Sequence, residues 1–141
     1  MTQSNTRGFI SQYNQVAVQT DLAYASPHRL IQMLMEGALE KISVAKGLMQ
    51  RGEISEKGRT ISWAISIIDG LRMSLDLETG GVIAQNLSNL YDYMTRRLVE
   101  ANSRNDPALL DEVSALLVEI KAAWDGIPDE VKQEHSLNGN G

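Results

Sequence analysis

The chain has 141 residues, with 13 Lys and Arg against 18 Asp and Glu for a formal charge of −5, and it is 43% hydrophobic but only 5% aromatic. With no cysteine it has no disulfide, thiolate zinc site or thiol nucleophile. Its net acidity disfavours generic nucleic-acid binding, which needs clustered positive charge, and no run reaches the ~18 apolar residues of a membrane span.

The length fits one domain, and folding should bury roughly two thirds of the surface of the unfolded chain. The polar start from Met1 to Gly8 lacks the apolar core of a secretory signal, so the expectation is a soluble cytoplasmic domain. Residues 1–25 carry Phe9, Ile10, Tyr13 and Val16 at helical spacing, which predicts a short helix and a connector lying against the rest. Ser26-Pro27 predicts a helix start, because the serine hydroxyl accepts from an orphan N–H and proline at the first position loses nothing. That helix runs to about Gln50 and stops at Arg51-Gly52. A second runs from about Ser55 to Leu77, with the break at Gly80-Gly81, and a third extends to about Ala101-Asn102. Asp106-Pro107 repeats the cap-then-proline signal and opens a fourth, ending near Trp124. No segment shows the period-two alternation of strands. Short connections favour antiparallel neighbours, so the predicted fold is all-α: an up-and-down four-helix bundle over 26–126, with a disordered tail over 127–141.

The width of each apolar stripe predicts what it faces. Ile83, Ala84, Leu87, Leu90, Tyr91, Met94, Leu98 and Ala101 of the third helix fall within about 120°, an ordinary core face. The fourth helix is similar, from Leu109 and Leu110 through Val113 and Leu117 to Trp124. The first helix spreads its apolar residues over about 240°, which fits a central helix contacted on several sides. On the second, Ile61, Ala64, Ile65, Ile68, Leu71 and Leu75 make the core face. Opposite them, Trp63, Ile67, Gly70 and Leu77 fall within about 80°, with Ser66 and Ser74 among or beside them. A large aromatic beside small residues describes a shallow trough for a partner helix, or a patch that residues 1–25 cover.

Catalytic constellations are missing. A di-iron bundle needs Glu-x-x-His twice, and Ala25 and Lys132 stand three residues before the only histidines, His28 and His135. His28, near a helix start, reads as solvated, and His135 falls in the tail. Glu36 and Glu40 read as a solvated face, and Gly80-Gly81 lacks the lysine and hydroxyl of a phosphate loop. Arg96, Arg97 and Arg104 are the only basic concentration and complement a helix C-terminus. No metal, cofactor or enzymatic role is expected.

Four stretches resemble a family, the flagellin-specific export chaperones of bacterial flagella (the FliS family). They are Tyr13 with Ala25-Ser26-Pro27-His28-Arg29-Leu30-Ile31 and Met33-Leu34; Ala64-Ile65 and Ile67-Ile68-Asp69-Gly70-Leu71 with Ser74-Leu75-Asp76; Gly80-Gly81, Ile83-Ala84, Asn86-Leu87 and Leu90-Tyr91-Asp92-Tyr93-Met94 with Arg96-Arg97-Leu98 and Ala101-Asn102; and Glu112-Val113 leading to Ala123-Trp124. Met35-Glu36-Gly37 departs mildly from the aromatic, aspartate and glycine often found there. The resemblance implies a cytoplasmic four-helix bundle that wraps the disordered C-terminal segment of flagellin, prevents its premature polymerisation and delivers it to the flagellar type III export gate. It also implies that Ile10 and Tyr13 belong to the gate-docking element. The sequence leaves open a homodimer, a helical adaptor for another protein partner and, less favoured, a nucleic-acid-binding bundle on Arg96, Arg97 and Arg104.

Overall fold

Capping chemistry opens three of the four helices. In a computed structural model describing residues 25–127, the Ser26 hydroxyl accepts the Arg29 N–H at 3.2 Å and Pro27 takes the first position of α1 (Pro27–Gln50). Gly52, at φ 74, takes the left-handed conformation that lets the chain reverse within three residues. It enters α2 (Ile54–Met73), which starts with no side-chain cap. At the far end of α2 the Ser74 hydroxyl donates back to the Leu71 carbonyl at 2.6 Å. Asp76 then accepts the Thr79 N–H at 3.0 Å and opens α3 (Leu77–Arg104). Asn105, left-handed at φ 53, closes α3, and Asp106 with Pro107 opens α4 (Pro107–Asp125).

α2 therefore ends earlier than expected, at Ser74–Asp76, and the expected break at Gly80-Gly81 is also present: Gly81, at φ 56 and ψ −133, kinks α3 between its first turn and the rest. A serine that bonds back into its helix, followed within two residues by a capping aspartate, sets this boundary ahead of the glycines. The expected helix before Ala25, with Ile10 and Tyr13, lies outside the described residues, as does the expected tail after Ile127.

Cross-helix pairs define the topology. His28 and Gln32 near the start of α1 meet Trp124 and Asp125 at the end of α4, whereas Lys46 meets Asp111 near the α4 start. Lys57 of α2 reaches Asn102 and Asn105, and Arg72 reaches Ser88 and Asp92. Each helix packs on its chain neighbours, and α4 closes against α1. The result is an antiparallel four-helix bundle, all-α among the described residues. Its core holds Met35 and Ile42 from α1, Ile61 and Ile68 from α2, Met94 and Leu98 from α3, and Leu110 and Leu117 from α4. Full burial of each such side chain favours folding by ~1.5–3 kcal/mol.

Three side chains lie elsewhere than the sequence predicts. Ile67, expected on the outer side of α2, is 1% exposed and belongs to the core. With α1 on one flank and α3 on the other, α2 buries an arc of about 180°, wider than a single stripe. Ile83, expected in the core, is 74% exposed. Arg72, next to the last residue of α2, pairs with Ser88 and Asp92, so α3 before about Ala84 runs past the end of α2. His28, expected in solvent, is buried, its ring stacked on Trp124 at 4.6 Å and 9°. The indole Nε1–H donates to the His28 carbonyl at 3.0 Å. The start of α1 is thus covered by the end of α4.

Candidate functional site

The α1–α2 face carries the largest exposed side chain of the described bundle. Trp63 lies at the edge of the buried arc of α2, next to α1, and is 45% exposed. The Lys41 ammonium of α1 sits 4.0 Å from its ring centroid, a cation–π contact worth ~0.5–1 kcal/mol at an exposed site. Val44 is one helical turn beyond Lys41 on the same face of α1 and is also exposed. An aromatic plate, an aliphatic neighbour and a mobile cationic stem make a surface that can take the apolar side of a helix.

The structure does not unite the four trough residues predicted from the sequence. Trp63 alone of the α2 members reaches solvent, and Ile67 and Gly70 are buried. Leu77 is exposed but opens α3 beyond the Ser74–Asp76 connection, so projecting it on α2 is invalid. The two serines use their hydroxyls within α2: Ser66 donates to the Ser62 carbonyl at 3.1 Å and Ser74 to Leu71. Most of the wide apolar arc of α1 is taken up by α2 and α4, which leaves Val44 as its exposed large aliphatic.

A second apolar region, missed in the sequence, caps the α2–α3 end of the bundle. Met73, Leu77, Val82 and Ile83 are each about half or more exposed there. The signal was present, since Val82 and Ile83 follow the glycine pair. Recognising it requires knowing where α2 stops.

The basic concentration on α3 is internally compensated. Arg96 pairs with Asp92 at 3.1 Å, Arg97 with Glu112 and Glu100 at 2.7 Å each, and Arg104 with Glu100 at 3.0 Å. Tyr93 also donates its hydroxyl to Glu112 at 2.7 Å. The bonds from Tyr93 and Arg97 hold the Glu112 carboxyl below the usual range, and the same Tyr93–Glu112 bond raises the phenol. Cations already matched by carboxylates offer little net attraction to phosphate. Among the described residues no group of three or more His, Cys, Asp or Glu could hold a metal ion, and no helix is long and apolar enough to cross a membrane.

Comparison with known proteins gives a consistent result. A family model described as "Flagellar protein FliS" matches residues 9–131. The flagellar secretion chaperone FliSB of Pseudomonas aeruginosa is 57% identical over 118 residues, 84% of this chain and 94% of that protein. The flagellar secretion chaperone FliS of Vibrio cholerae is 47% identical, covering 88% and 91% respectively. That of Salmonella typhimurium is 46% identical, covering 93% and 98%.

Proposed function

The chain belongs to the FliS family of flagellar secretion chaperones, and from that premise we propose that it binds the disordered C-terminal segment of newly made flagellin in the cytoplasm. Holding that segment keeps flagellin from polymerising early and presents it to the flagellar export gate. The work is binding without catalysis.

The observation that carries the reading is the α1–α2 face, where the half-exposed Trp63 ring lies under Lys41 and near the exposed Val44. A disordered client loses conformational entropy when it orders, so it binds through apolar contacts spread along its length. Trp63 is the anchor of one such contact, with Ser66 on its flank and Leu77 in a separate region at the α2–α3 end. Ile67 and Gly70 are buried and are not part of the contact surface. Ile10 and Tyr13, outside the described residues, are assigned to gate docking from the family resemblance.

Calorimetry with the C-terminal segment of the cognate flagellin tests the reading. Saturable binding with a negative heat-capacity change is expected, since apolar burial and coupled folding both lower the heat capacity. Absence of binding at micromolar concentrations of both partners would reject flagellin as the client.

A further inference from the structure

One sequence register runs through two backbone geometries in α3. Counted by sevens, Leu77, Ala84, Tyr91 and Leu98 share one heptad position, and Leu87, Met94 and Ala101 share the position three residues on. From Ala84 onward this stripe faces the core: Ala84, Tyr91, Met94, Leu98 and Ala101 are buried, and Leu87 packs against them. Leu77, in the same register, is 47% exposed.

The break at Gly81 is the cause. Its φ of 56 and ψ of −133 are close to the mirror image of an extended residue, a conformation that glycine enters freely and L side chains rarely adopt. Gly80 is demanded by the same bend, because a Cβ built there would lie 2.5 Å from the Ala84 Cβ. Residues four apart on a regular helix keep their Cβ atoms about 5–6 Å apart. Both glycines are therefore required by the bent form, and neither is required by a continuous helix.

The segment ahead of the break is a self-contained turn. Asp76 caps it through Thr79, and the Gly80 N–H donates to the Asp76 carbonyl at 2.8 Å. It lies past the end of α2, where Val82 and Ile83 are exposed, so tertiary packing restrains it little.

We propose that Gly81 is a hinge about which α3 exchanges between this bent form and one in which Leu77–Arg104 is a continuous helix. In the continuous form Leu77 joins the line of Ala84 and Tyr91, and the apolar outline made with Met73, Val82 and Ile83 changes. Only Gly81 changes from a non-helical to a helical conformation on straightening, and a glycine in a helix interior disfavours that form by about fivefold relative to alanine, which keeps it the minor state. The exchange is a property of the chain alone and needs no client.

Backbone relaxation-dispersion NMR on the full-length protein tests it. Microsecond-to-millisecond exchange is expected at residues 77–84 and not at Leu98. In G80A/G81A, where the bent form is excluded, that exchange should vanish and helical carbon shifts should run unbroken from residue 77. Flat dispersion at 77–84 in the unaltered protein would overturn the hinge, as would bent-form shifts persisting in the double variant. Should the double variant fail to fold, the unaltered protein decides alone.

Discussion

Replacing Trp63 by alanine removes the largest exposed apolar side chain of the α1–α2 face while leaving the core beneath it intact. A tryptophan side chain has at most ~250 Å² to bury, and Trp63 is 45% exposed, so a client can cover about 110 Å² of it. At ~25 cal/mol per Å² that area is worth about 3 kcal/mol, an upper value because a client need not cover all of it. Lys41, 4.0 Å over the ring, adds a contribution that grows when a client excludes water. The expected loss in affinity is thus ~2–3 kcal/mol, a weakening of roughly 30- to 150-fold in Kd. Titration calorimetry with the flagellin C-terminal segment reads it, with a thermal melt of each protein as the folding control. Lys41→Ala should weaken binding by only about two- to fivefold, since it leaves the indole in place. A Trp63→Ala protein that melts normally and binds within threefold of the parent would refute the assignment of this face.

Other expectations follow from the same structure. Ile68→Ala, at a fully buried site of α2, should lower stability by ~2–5 kcal/mol in urea titrations, with affinity corrected for the folded fraction unchanged. Lys57 is buried with its ammonium donating to the Asn102 carbonyl at 3.1 Å and to Asn105 Oδ1 at 2.9 Å, at the C-terminal end of α3. Lys57→Met should therefore cost ~2 kcal/mol in the same titrations, and a midpoint unchanged from the parent would mean that the carbonyls find water instead. Glu112 is held below its ordinary range, so its contribution is present above its unfolded pKa and lost as pH falls through the folded one. Stability should then decline below about pH 4.5, less steeply in Glu112→Gln. Burial pushes the Tyr91 phenol up to about 12, so its contribution is complete below its unfolded pKa of ~10 and is lost as pH rises through about 12. Alkaline unfolding between these values should shift in Tyr91→Phe. Finally, changing Ile10 and Tyr13 to alanine should spare flagellin binding and weaken capture by the export gate in a pull-down; the reverse pattern would overturn that division.

The helices at the two ends of the described chain were legible because their signals are local. Ser26-Pro27 and Asp106-Pro107 act through bonds to N–H groups two or three residues away, and no distant contact is needed to read them. The family pattern was legible for a related reason: it is a matter of residue order and spacing along the chain. The α2–α3 boundary was less so, because two adjacent glycines are a louder punctuation than Ser74 and Asp76. Glycine can end a helix or bend one, and only the backbone at Gly81 distinguishes the two.

Which face of each helix meets solvent was decided by neighbours far away in sequence. Projection at 100° per residue orders side chains around an axis, but it carries no information about how many helices pack on that axis or where each one ends. Ile67 turned inward because α2 has both α1 and α3 beside it, and Ile83 turned outward because α2 stops at Met73. His28 was buried by Trp124, 96 residues later in the chain. The sequence by itself determined the four helices, their antiparallel order and the family. The tertiary structure decided which apolar side chains remain exposed, since exposure is a property of where helices overlap, and that depends on their lengths and register together.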